Sequence, residues 1–101
     1  MKLGELAGLI RSKNAGPFVL TFDIMFDSEE KYRRVLSAGV LTKEWFEKIY
    51  GIPVGEIDIY YYEPALAIKA TIPRPVPSGD PLDTDIYGGQ QYGPLVDIEV
   101  P

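Results

Sequence analysis

Residues 18–26, FVLTFDIMF, alternate between two kinds of side chain with a period of two. Phe18, Leu20, Phe22, Ile24 and Phe26 share one side, and Val19, Thr21, Asp23 and Met25 share the other. Successive side chains of a strand point to opposite faces of a sheet. This run therefore predicts a strand with one face in the core. Its second face is mixed, which suits a sheet side that is partly exposed or turned to a partner.

The rest of the chain supplies partners for such a sheet. Leu3, Leu6, Ala7, Leu9 and Ile10 are spaced as one apolar stripe and predict a helix over 3–12, weakened by Gly4 and Gly8 and stopped by Asn14 and Gly16 before Pro17. Asp27, with Glu30 three residues on, reads as the N-cap of a helix over 28–38 that Gly39 ends. Thr42 reads as the cap of a second helix, 43–50, carrying Trp45, Phe46, Ile49 and Tyr50. Residues 56–62 set Ile57, Ile59 and Tyr61 against Asp58, Tyr60 and Tyr62. Residues 65–72 set Leu66, Ile68, Ala70 and Ile72 against Ala67, Lys69 and Thr71. These two runs predict a hairpin. Residues 73–94 are rich in Pro and Gly, and residues 95–100, LVDIEV, return to strand character. Without its leading helix this order approximates βαββαβ. The expected fold is α+β, a ferredoxin-like two-layer sandwich in which a four-stranded antiparallel sheet carries helices on one face. At 101 residues the chain is one domain, 1–101.

Composition removes several chemistries. There is no cysteine and no histidine. That excludes disulfides, thiolate nucleophiles, and thiolate or imidazole metal sites. It also removes the side chain best suited to proton transfer near neutral pH. No metal and no cofactor is expected. A net charge of −5 argues against a nucleic-acid partner, because phosphate neutralisation needs clustered Lys and Arg. No apolar run approaches the ~20 residues that span a bilayer, and MKLGELAGLIRSK does not read as a signal peptide, so the expected location is cytoplasmic.

Against that acidic balance the block RSKNAG, residues 11–16, stands out. Arg11, Ser12, Lys13, Asn14 and Gly16 together read as a clasp for a carboxylate or phosphate. The bland alternative is a cationic helix C-terminus followed by a stop. Arg74, held stiff between Pro73 and Pro75, could aim a guanidinium at a carboxylate or simply be solvated. Asp80, Asp83 and Asp85 could hold a hard cation such as Mg²⁺ or Ca²⁺, though their spacing is not that of an EF-hand, or simply form a solvated acidic loop. Gly88, Gly89, Gln90 and Gln91 could hydrogen-bond a ligand or be a flexible turn into the last strand. Tyr60 and Tyr62, with Tyr87 and Tyr92, are candidates for an interface or for a plain decorated surface.

Over nearly its whole length the chain resembles a prokaryotic family, domain of unknown function family 4387. The resemblance rests on RSKNAGPF, on PALAIKATIPRP, and on the segment that runs DTD, Y, GGQQ, PL, DIE. Members of that family occur beside, or fused to, proteins resembling acyclic terpene utilisation protein A. Those proteins carry a ferredoxin-like domain that opens with a helix and an RSGDKG loop, to which the RSKNAG unit here is similar. The resemblance implies a ferredoxin-like fold and a role as small partner subunit of a larger acyl-processing or hydratase/lyase-like enzyme. The expected contribution is an anion site built on Arg11, Lys13 and Asn14. Two rivals stay open. One is a stand-alone small lyase or isomerase using Lys13 or Tyr87 with Asp83 or Asp85. The other is a homodimeric small-molecule binding module.

Overall fold

The computed structural model describes residues 1–16, 18–74 and 92–101. A single helical turn, α1 (Leu3–Leu6), passes through Gly8 into β1 (Leu9–Asn14), which turns back into β2 (Val19–Met25). Two helices follow, α2 (Glu29–Ala38) and α3 (Lys43–Tyr50). A 3-10 turn at Val54–Glu56 leads to β3 (Asp58–Tyr62), and a second at Glu63–Ala65 leads to β4 (Ala67–Pro73). After the described residues resume, α4 (Gly93–Val96) is again one turn. The strands form one antiparallel sheet in the order β1-β2-β4-β3.

β2 lies inside the sheet. Leu20, Phe22 and Ile24 are 0% exposed and sit opposite Ile72, Ala70 and Ile68 of β4, all buried. Across this face lie Tyr32 and Val35 of α2 and Phe46 of α3. The Phe22 ring lies 5.4 Å from Phe46 and 5.3 Å from Tyr50. Phe26 meets the Tyr32 edge at 5.8 Å. Helices therefore cover one face. On the other, Arg11, Lys13, Asp58, Tyr60, Tyr62 and Lys69 are exposed.

Two expectations about the ends of the chain are corrected. The helix expected over 3–12 stops after Leu6, and residues 9–14 pair with β2 from Leu9↔Met25 to Asn14↔Leu20. Gly8 begins this ladder, its N–H donating to the Met25 carbonyl at 2.8 Å. Without β1, that edge of β2 would expose a row of unpaired backbone groups, and satisfying them outweighs the local helical spacing. Leu9, expected in the apolar stripe, is exposed. At the other end, residues 95–100 are not a sheet strand. Leu95 lies in α4, and only an isolated bridge, Lys2↔Glu99, follows. Leu95 and Val100 are fully buried and Ile98 nearly so. The fourth strand thus comes from the N-terminal side.

Smaller corrections are local. Ser28, not Asp27, caps α2; its hydroxyl accepts the Lys31 N–H at 3.3 Å. Asp27 instead accepts from the Lys31 ammonium at 3.3 Å. Phe18 lies in the turn before β2 and is exposed, and Tyr61 is exposed on edge strand β3. Thr42 caps α3 as expected, accepting the Trp45 N–H at 3.1 Å. The long Pro/Gly-rich stretch lies mostly outside the described residues.

The chain ends are tied together. Leu3 N–H donates to Ile98 C=O and Val100 N–H to Met1 C=O, each at 2.8 Å. A Cβ on Gly4 would meet Val96 Cγ1 at 2.6 Å, so only glycine lets α1 and α4 approach this closely.

The Tyr32 hydroxyl is buried with no hydrogen-bond partner among the described residues. Burial, reinforced by the Glu63 carboxylate, holds this phenol above its ordinary value; burial does the same to Tyr50. The raised folded value means that the stability Tyr32 contributes is intact below about pH 10, where the unfolded phenol ionises, and is lost as pH rises above it. Tyr32→Phe removes an unsatisfied group, so it should stabilise the fold by about 1 kcal/mol at neutral pH. It should also soften the alkaline loss. Thermal melts should show a rise of roughly 4–8 °C; a lower midpoint would show that the hydroxyl is satisfied.

Candidate functional site

Because residues 11–14 are strand and not loop, the period of two divides them. Arg11 and Lys13 point to the open face of the sheet. Ser12 and Asn14 point to the helix-covered face, opposite Phe22 and Leu20. No single clasp uses all four side chains.

On the covered face, Ser12 and Asn14 have intrachain work. The Ser12 hydroxyl accepts the Tyr92 N–H at 3.0 Å. The Asn14 side-chain carbonyl accepts from an Arg74 Nη, and the Arg74 N–H donates to Phe18 C=O at 2.8 Å. Arg74 is only 7% exposed. These groups fasten the end of β4 and the start of α4 to β1. Gly16 sits in the β1–β2 turn with φ of 93°, a left-handed conformation that favours glycine. Tyr92 is half-buried against the core, away from Tyr60 and Tyr62. Asp80, Asp83, Asp85, Tyr87, Gln90 and Gln91 lie outside the described residues.

The open face is ordered in rows by the register. Arg11 lies opposite Asp23, Asp23 opposite Lys69, and Lys69 opposite Tyr60. This charged row crosses all four strands, a span of about 14 Å at the usual strand spacing. One step along the strands the row is Leu9, Met25, Ala67 and Tyr62; one step the other way it is Lys13, Thr21, Thr71 and Asp58. A groove of about 390 Å³ lies over these rows, lined by Arg11, Lys13, Asp23, Met25, Tyr60, Tyr62, Ala65, Ala67 and Lys69.

Asp23 is the floor of the groove, 7% exposed. Its Oδ2 accepts from Arg11 Nε at 3.0 Å and its Oδ1 lies 3.8 Å from Lys69 Nζ. A buried carboxylate needs such partners, because leaving it unpaired costs several kcal/mol. Arg11 and Lys69 stay about half exposed. Lys13 has no ion-pair partner among the described residues. Three cations thus line the groove beside one carboxylate, a local excess of positive charge on an acidic chain.

The structure therefore brings Arg11 and Lys13 together with Tyr60 and Tyr62, and adds Asp23, Met25 and Lys69, which sequence reasoning left out of the site. A signal for the charged pair existed. Asp23 and Lys69 are lone charges in otherwise uncharged strands, opposite in sign, and both off the core face. Among the described residues no group of three or more acidic side chains is placed to hold a metal ion, and no helix is long and apolar enough to cross a membrane.

No curated protein and no solved structure matches the chain. A family model does, over residues 3–99, and the chain belongs to that family, described as a domain of unknown function (DUF4387).

Proposed function

We propose that this chain is an accessory subunit of a larger cytoplasmic acyl-processing or hydratase/lyase-like enzyme resembling acyclic terpene utilisation protein A. It docks through its open sheet face and brings Arg11 and Lys13 to an anionic group at the subunit junction. The observation that carries the reading is the row Arg11, Asp23, Lys69, Tyr60. Its exposed members build no core, yet a buried carboxylate holds two of its cations in place. Tyr60 and Tyr62, 56% and 62% exposed, offer the large amphipathic area that interface centres favour. Within the same reading the fold is a variant of the ferredoxin-like sandwich. β2, the two helices and β3 make a split β-α-β unit with β4 between its strands. β1 stands beside β2, where that fold has its last strand.

Co-expression with such a larger protein, followed by size-exclusion chromatography, tests the proposal. The two chains should co-elute. The double substitution Tyr60→Asp and Tyr62→Asp should weaken the complex by at least about tenfold while leaving the melting temperature of the isolated chain nearly unchanged. Separate elution at micromolar concentrations overturns the proposal. So does full substrate turnover by the small chain alone, abolished by Lys13→Ala, which would make it an enzyme in its own right.

A further inference from the structure

We infer that the groove on the open sheet face binds a small monocarboxylate with an apolar tail, its carboxylate between Arg11 and Lys13 and its tail over Met25, Ala67 and Tyr62. The inference rests on the reading of this face as the functional surface, and it names the ligand class.

The rows impose a polarity gradient along the strands. At one end of the groove Met25, Ala65, Ala67 and the Tyr62 ring present apolar surface. In the middle and at the other end stand Arg11, Lys69 and Lys13. A ligand lying along the strands therefore meets apolar contacts first and cations last. Two row steps span about 13 Å. The groove volume of about 390 Å³ falls in the range of small-molecule sites.

The head group follows from what the cations still offer. Arg11 gives Nε to Asp23, which leaves its two terminal nitrogens as a planar pair of donors. That pair matches the two oxygens of a carboxylate. Lys13 adds a point charge with no ion-pair partner among the described residues. Asp23 lies against Arg11 and Lys69 and offsets part of their charge, which leaves Lys13 and the terminal pair of Arg11 to meet the two oxygens of a carboxylate. Asp23 is a positioning residue in this site: it aims Arg11 and Lys69 and does not touch the ligand.

Isothermal titration of the isolated chain with octanoate and with trans-cinnamate tests this, with octan-1-ol, cinnamyl alcohol and octyl phosphate as comparisons. Both carboxylates should bind saturably, and each alcohol about tenfold more weakly or worse, because a charge-assisted hydrogen bond is lost. Lys13→Ala should weaken octanoate by about tenfold with an unchanged melting temperature, while Lys48→Ala, on exposed α3 surface, should leave binding unchanged. Binding should also fall between low and high salt. An alcohol that binds as well as its acid, octyl phosphate that binds about tenfold tighter than octanoate, or no saturable binding of either acid overturns the inference. The two proposals fail separately. A chain that co-elutes with the larger subunit but binds neither acid loses only the ligand assignment. A chain that binds octanoate but never co-elutes loses only the subunit assignment.

Discussion

Phe22→Ala should cost about 3–5 kcal/mol of folding stability. Phe22 is 0% exposed at the centre of β2, and its ring touches the ring layer formed by Phe46 and Tyr50. Its neighbours across the sheet are Ser12 and Ala70. Both are small, so neither can swing into the space that the ring vacates, and the cavity persists. The two aromatic contacts add about 0.5–1.5 kcal/mol each beyond area burial. Domains of this size have about 5–15 kcal/mol in total, so the variant should be largely unfolded in low urea. Urea titration by far-UV dichroism measures it. A loss below about 1 kcal/mol would mean that the ring is not part of a packed core.

Val100→Asp should open the clamp between the chain ends and cost at least about 3 kcal/mol. Val100 is 0% exposed, and its N–H and C=O both bond Met1, the carbonyl accepting from the terminal ammonium at 3.1 Å. An aspartate here places a carboxylate among apolar groups, with Glu99 already competing for the ammonium at 3.4 Å. Hydrogen exchange reads the effect by position. Leu3 and Val100 amides should lose protection first, and amides of β2 and β4 last, because the clamp can open before the sheet does. Val100→Asp with wild-type protection at Leu3 would contradict this account. Val100→Ala, which only trims the packing, should fall between the two.

Much of the fold was legible because it is local. The alternation of 18–26, the helical spacing over 28–38 and 43–50, and the Thr42 cap all mapped onto observed elements. The hairpin of β3 and β4 was equally plain. The failures share one cause. Leu3, Leu6, Leu9 and Ile10 carry a helical spacing, but what decides their state is the unpaired edge of β2, more than ten residues away. LVDIEV alternates like a strand, yet Leu95 reaches the core from the one-turn helix α4, and Ile98 and Val100 reach it from the segment that follows. The site inherits the same difficulty. Whether Arg11 and Ser12 act together depends on whether they lie on a loop or a strand. Whether Asp23 meets Lys69 depends on register, which a list of candidate motifs does not contain.

The Lys2–Glu99 bridge also bears on how the order of elements relates to their arrangement in space. Because the two ends meet, a short linker could close the chain into a ring, and new ends could be cut at the β1–β2 turn beside Gly16. The permuted chain would then run β2, helices, β3, β4, the paired turns α4 and α1, and finally β1. That is the βαββαβ order of the ferredoxin-like sandwich proposed above, reached with no change in which strands are neighbours. Circular permutants are tolerated where the ends are close and the new cut falls in an exposed turn. On this view β1 is the sandwich's last strand, moved to the front of the chain, and α1 with α4 is its second crossover, cut in two.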